Sequence, residues 1–222
     1  MKFVLASASP RRRELLTQAG FEFEVVPSSV DEESITAKRP EALARRIART
    51  KAEDIAAQRP DDVVLAADTI VVLRGEVLGK PADAGEARTM LARLRGQQHR
   101  VITGVCLIPS RGRLRMEHVT TKVTMRAYGE AAVEAFIASG SPFDKAGGYA
   151  VQDAAFAPVE AYDGCYCNVL GLPLWTAIEM LQDAGVRPPE ERSRRGMDAA
   201  SPMPSAACDG CFTKPTRAGA PR

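Results

Sequence analysis

The sequence predicts an α/β protein built on a mixed β-sheet, and three observations carry that prediction. Strand-like and helix-like patterns alternate over residues 1–95. Residues 63–73, Val-Val-Leu-Ala-Ala-Asp-Thr-Ile-Val-Val-Leu, are apolar except for Asp68 and Thr69, as in a strand covered on both faces. Two later strand patterns, 99–109 and 114–125, are joined by the turn Ser110-Arg111-Gly112 and read as an antiparallel hairpin. Alternation followed by a hairpin gives strands of both directions in one sheet.

The elements follow in order. Residues 2–6 form a first strand, and Ser9 and Pro10 suit the N-cap and first position of a helix carrying Leu15, Leu16 and Ala19, stopped by Gly20. Residues 21–26 alternate and then turn apolar, a second strand that Pro27-Ser28-Ser29 ends. Pro40 opens a helix to about Gln58, with Leu43, Ala44, Ile47, Ala48 and Ile55 on one stripe and Lys51 beside that stripe. After the strand 63–73, Arg74-Gly75-Glu76 turns into a short strand at Val77-Leu78. A helix from Asp83 or Ala84 to Arg95 points Met90, Leu91 and Leu94 inward and ends at Gly96. The hairpin comes next, then a helix over 130–138, a glycine-rich loop over 144–148 and a last helix over 173–184.

With 222 residues, 45% hydrophobic and 26% charged, the chain is sized for one large domain or two small ones of an ordinary globular kind. Domain organisation is expected as a folded body over 1–186 and a disordered Pro/Arg/Ala-rich tail over 187–222, which lacks the apolar residues for a core. Seven basic and four acidic residues fall after Gly185, so of the net +2 the body holds 23 basic against 24 acidic, a net of −1. A near-neutral body argues against a stable nucleic-acid partner. The 5 cysteines show no disulfide framework, and Arg11 to Arg13 follow too soon after the apolar start for a signal peptide. No segment reads as a membrane span, so a cytoplasmic protein with no membrane partner is expected.

Several residues carry chemistry. Ser7-Ala-Ser-Pro-Arg-Arg-Arg13 places serines and three arginines at a helix start, where free N–H groups attract anions and Arg donates in pairs to phosphate. A capped helix with a basic first turn fits the same residues, but such charge opposes the macrodipole unless an anion compensates. Asp68 sits in an apolar run, so it needs a partner or a metal. A hydrogen-bonded strand residue and a catalytic carboxylate both answer to that. Gly75-Glu-Val-Leu-Gly79-Lys80 is not a P-loop, because Pro81 stands where Ser or Thr would hold magnesium; Lys80 remains a candidate phosphate ligand. Glu32, between Asp31 and Glu33, is a loop carboxylate of the kind that holds magnesium with substrate phosphates. Gln152, after the glycine-rich loop, can pair with a base edge. His99 and His118 are the only histidines, which excludes a multi-histidine metal centre. Cys208 and Cys211 form a CxxC with no second pair to complete a zinc site.

Taken in order, Ser7-Ala-Ser-Pro-Arg-Arg-Arg13, Val30-Asp-Glu32, Ala48-Arg-Thr-Lys51, Ala66-Ala-Asp-Thr-Ile70, Gly79-Lys-Pro81, Asp144-Lys-Ala-Gly147 with Gln152, and Asn168-Val-Leu-Gly-Leu-Pro173 resemble the Maf family of nucleotide pyrophosphatases, also described as septum-formation proteins. The resemblance covers residues 1–184. It implies an elongated mixed sheet flanked by helices, in two lobes with a central cleft, of the Maf and inosine-triphosphatase kind. It also implies hydrolysis of nucleoside triphosphates to monophosphate and pyrophosphate with a divalent cation, Mg²⁺ or Mn²⁺, and a homodimer. On this chain it makes Asp68 the general base and, with Glu32, a metal ligand, and it assigns phosphate to Ser7, Arg12, Arg13, Lys51 and Lys80. Arg11, Thr69 and Gln152 resemble the branch acting on dTTP and UTP, while the branch acting on 7-methyl-GTP carries an aromatic after Pro10. Such activity keeps non-standard nucleotides out of nucleic acids. A non-enzymatic nucleotide-binding regulator of septum formation is the contrasting expectation.

Overall fold

The computed structural model describes residues 3–188, so from residue 189 on the expected tail, with Cys208 and Cys211, lies outside the described residues. The strands are β1 (Phe3–Leu5), β2 (Phe23–Val25), β3 (Val63–Leu73), β4 (Glu76–Leu78), β5 (Gln98–Ile108), β6 (Arg115–Met125) and β7 (Val159–Asp163). The α-helices are α1 (Pro10–Gln18), α2 (Pro40–Gln58), α3 (Ala84–Leu94), α4 (Glu130–Ala138), α5 (Tyr166–Leu170) and α6 (Leu174–Asp183), with short 3-10 turns at Ser141–Asp144 and Ala146–Gly148. The strands make one seven-stranded sheet in the order β2-β1-β3-β5-β6-β7, with β4 also on β3. β1 runs parallel to β2 and β3, and the other pairings are antiparallel, which is the mixed sheet the sequence predicts.

β3 positions the site. Its one edge pairs with β5 from Val64 to Val72. Its other edge is divided: β1 takes Val63 to Leu65 and β4 takes Val71 to Leu73. Residues 66–70 on that edge therefore have no strand partner, and β1 leaves the sheet beside them, the kind of switch point where open α/β sheets bind ligands.

Alternation along β3 divides the core into four clusters. On one face Val63, Leu65 and Ala67 join Leu15, Leu16, Leu174 and Leu181 in the first lobe. Val71 and Leu73 on that face join Leu91, Leu94, Val133 and Phe136 in the second lobe. Thr69 stands between the two. On the opposite face Val64 and Ala66 pack on Ala48, Ala52 and Ile55 of α2, while Ile70 and Val72 pack on Ala44. Asp68 stands between these two. The two polar residues of β3 thus fall in the gaps between apolar clusters, one on each face.

α2 lies directly on the sheet because of Gly104, the β5 residue opposite Asp68. A Cβ there would come within 2.4 Å of the Ala44 carbonyl and 2.6 Å of the Arg45 backbone nitrogen. A glycine within a strand marks such a close backbone approach.

Three local expectations differ from the fold. β2 is shorter than 21–26, because Phe21 is drawn into the first-lobe cluster ahead of the strand. Ser9 occupies the N-cap of α1 but makes no side-chain cap bond. Its own N–H instead donates to Ser7 Oγ at 3.3 Å. β7 and α5 are additions that periodicity did not reveal, since β7 is a half-exposed edge strand and α5 has only 5 residues.

Candidate active site

A cavity of about 320 Å³ opens where β1 departs, within the size range of small-molecule sites. Its wall carries five basic side chains, Arg11, Arg12, Lys51, Lys80 and Lys145, against three carboxylates, Glu32, Asp68 and Asp144. The excess of positive charge suits an anionic ligand. Ser7, Thr69 and Gln152 complete the sequence-predicted residues on this wall, and Val71, Val101, Val151 and Val169 give it an apolar part. Arg13 is not on it. One residue further round α1 than the inward Arg12, Arg13 is exposed. As a phosphate ligand it is therefore not brought to the site.

Asp68 is 5% exposed and Lys51 8%. Lys51 Nζ donates to Asp68 Oδ1 at 2.7 Å and pairs with Glu32 Oε1 at 2.6 Å. One ammonium therefore bridges two carboxylates, which is what a buried carboxylate requires. Burial raises the Glu32 pKa, but the Lys51 hydrogen bond and charge, with Lys80 and Arg12, outweigh it and hold the group below its usual value. Lys51 takes Oδ1 of Asp68 and Oε1 of Glu32, and each carboxylate has a second oxygen beside it. Two such hard oxygens on one wall, already spanned by a cation, fit a divalent ion completed by substrate phosphates. No group of three or more His, Cys, Asp or Glu residues capable of holding a metal occurs among the described residues, so the ion would depend on those phosphates.

Arg12, 8% exposed, is held at three points. Its Nε donates to the Gly171 carbonyl at 2.8 Å, Nη1 to Ser7 Oγ at 2.9 Å and Nη2 to Thr69 Oγ1 at 3.2 Å. Burial lowers its pKa, opposed by the charges of Asp68 and Glu32. Arg11 Nε donates to the Leu170 carbonyl at 3.3 Å, and its Nη1 pairs with Asp144 at 3.4 Å across the cavity mouth. Here the structure answers the dipole argument differently from the sequence. Arg11 and Arg12 are compensated by the carbonyls that end α5, a negative helix end, while Arg13 is exposed. An anion is thus not needed to explain the two inward arginines.

The glycine-rich loop brings residues that the sequence reading left without a role. Lys145 Nζ donates to the Ser141 carbonyl at 2.6 Å and pairs with Asp144. Tyr149, on the cavity wall, meets His99 Nε2 through its hydroxyl at 2.8 Å. His99 is buried, and burial lowers its pKa to about 4, so the imidazole is neutral. Gly104 was missed too, although a lone glycine inside an apolar strand pattern was a usable signal.

Among the described residues no helix is long and apolar enough to cross a membrane. A protein of Thermomicrobium roseum named dTTP/UTP pyrophosphatase is 54% identical over 197 residues, covering 87% of this chain and 89% of that protein. One of Syntrophus aciditrophicus with the same name is 47% identical and covers 83% of this chain and 90% of its own length. Among solved structures, the Staphylococcus aureus Ham1 protein overlaps 59% of this chain and 76% of its own at 16% identity, with a TM-score of 0.41. The profile described as Maf-like protein matches residues 2–184, and with it the chain belongs to the Maf family.

Proposed function

We propose that the chain is a nucleoside triphosphate pyrophosphatase that hydrolyses dTTP and UTP to the monophosphate and pyrophosphate. One observation carries this reading: a buried carboxylate, Asp68, shares a cavity wall with five cationic side chains at the open edge of β3. Phosphoanhydride cleavage asks for little else than charge neutralisation and a positioned water. The names of the relatives support the choice of nucleotide.

Asp68 Oδ1 is committed to Lys51, which leaves Oδ2 to orient a water and accept its proton. The water oxygen bonds to phosphorus, and the α–β anhydride bond breaks to release pyrophosphate. Arg12 and Lys80 face the triphosphate, with Ser7 fixing Arg12. Lys51 holds Asp68 and Glu32 together as the substrate arrives. A divalent cation held by Glu32 and Asp68 would neutralise charge on the phosphates. Arg11 and Gln152 stand at the cavity as the side chains that select the base. The body of 1–186 carries all of these residues, and dTTP and UTP as substrates are in keeping with a cytoplasmic enzyme.

The test is a nucleotide panel with Mg²⁺ or Mn²⁺ and chromatographic identification of products. The reading expects dTTP and UTP to give dTMP and UMP with pyrophosphate. Preferred turnover of 7-methyl-GTP overturns the choice of nucleotide, and nucleoside diphosphates released with orthophosphate overturn the choice of bond.

A further inference from the structure

Thr69, expected to select the nucleotide, has its hydroxyl tied to the protein. A hydroxyl has one proton and two lone pairs. Thr69 Oγ1 accepts from Arg12 Nη2 at 3.2 Å, and it lies 2.9 Å from Thr103 Oγ1 and 3.2 Å from the Gly171 carbonyl, two acceptors for its single proton. The contacts continue inward. Thr103, fully buried, donates to the Asn168 carbonyl at 3.2 Å. Asn168 Nδ2 donates to the Val101 carbonyl at 3.0 Å and to Thr121 Oγ1 at 2.9 Å. Thr121 Oγ1 also accepts from the Cys165 N–H at 3.0 Å. The chain of contacts crosses β3, β5 and β6 and pins α5 to the sheet. The residue after α5, Gly171, presents the carbonyl that Arg12 grips, and its φ of 117° is a conformation that favours glycine. Asn168 Oδ1 is buried without a hydrogen-bond partner, which an apolar residue would avoid.

We infer that Thr69, Thr103 and Asn168 are positioning residues that hold Arg12 toward the triphosphate. The inference rests on the triphosphate reading above and refines it. Arg12 uses three of its five N–H groups on this frame and keeps two for an anion. Loss of the frame frees the guanidinium to swing, so it weakens binding of the phosphates whatever the base.

The experiment is calorimetric titration with inorganic tripolyphosphate, which has no base, alongside the ratio of dTTP to 7-methyl-GTP turnover. Thr69→Val and Thr103→Val are each expected to weaken tripolyphosphate binding about tenfold, as for a hydrogen bond to a charged group. Thr69→Ser and Thr103→Ser, which keep the hydroxyl, should bind nearly as the wild type does. Unchanged tripolyphosphate binding in the folded Val variants overturns the inference. So does a shifted nucleotide ratio with unmoved tripolyphosphate affinity. Thermal melting reports folding, and if Thr103→Val fails to fold, Thr69→Val at the cavity edge decides. A wild-type chain that binds no tripolyphosphate overturns the phosphate reading itself; binding by the wild type with unmoved variants overturns only this inference.

Discussion

Asp68 and Thr69 are neighbours on β3, yet they belong to two different environments. Asp68 enters the gap between the clusters under α2 and meets charge: Lys51 bridges it to Glu32. Thr69 enters the gap between the two lobes and meets hydroxyls, carbonyls and a fixed guanidinium. Both reach one cavity because the edge of β3 is open over residues 66–70. The difference shows how one strand can separate chemistry from positioning. The Asp68 face is ionic, and the Thr69 face is built of hydroxyls and carbonyls around one fixed guanidinium.

The comparison breaks first at Asp68. Asp68→Asn keeps the shape and removes the proton acceptor, so kcat for dTTP should fall about 10²- to 10⁴-fold. Coupled phosphate release measures it, and full turnover by the variant would remove Asp68 from the chemistry. Gly104→Ala tests the ionic face through its packing. The added Cβ meets the α2 backbone at 2.4 Å, so α2 must move and carry Lys51 away from Asp68. Overpacking of this kind costs about 1–3 kcal/mol or more in urea denaturation, with a drop in kcat beside it.

Acid separates the two faces more finely. His99 on the Thr69 face has its folded pKa lowered from 6.5 to about 4. The unfolded chain therefore binds the proton first, and the stability due to neutral His99 is complete above pH 6.5 and is lost as pH falls toward 4. The loss amounts to roughly 3 kcal/mol. Glu32 on the ionic face has its pKa lowered from 4.5, so its contribution is present above pH 4.5 and is lost only below it. Urea melts of the wild type and His99→Gln between pH 4 and 7 check this; the slope between 6.5 and 4.5 should vanish in the variant. The smallest effect is expected at Arg13, which is off the cavity wall. Arg13→Ala should change the KM for dTTP by less than about twofold. A large rise would bring Arg13 back among the phosphate ligands.

Much of the fold was legible because its signals were local. The apolar run of β3, the stripe of α2 and the turn at residues 110–112 each state their own structure. β7 and α5 did not. Val-Glu-Ala-Tyr-Asp on an edge strand has little apolar content, and Tyr-Cys-Asn-Val-Leu is too short for a helical period. α5 exists because Asn168 ties it to the sheet, a contact 67 residues away in sequence. At the site, residue types in order pointed to Ser7, Arg12, Glu32, Lys51, Asp68 and Lys80, which the fold gathers on one wall. The compensation of Arg11 and Arg12 could not be read in advance, since the carbonyls of Leu170 and Gly171 lie 159 residues away in sequence.

Single-turnover kinetics of dTTP with the wild type, Asp68→Asn and Thr69→Val separates binding from chemistry and tests the division along β3 most directly. The account predicts that Asp68→Asn loses the chemical rate and keeps dTTP affinity, while Thr69→Val loses affinity and keeps the rate. If both variants lose the same quantity, the two faces of β3 do not divide chemistry from positioning.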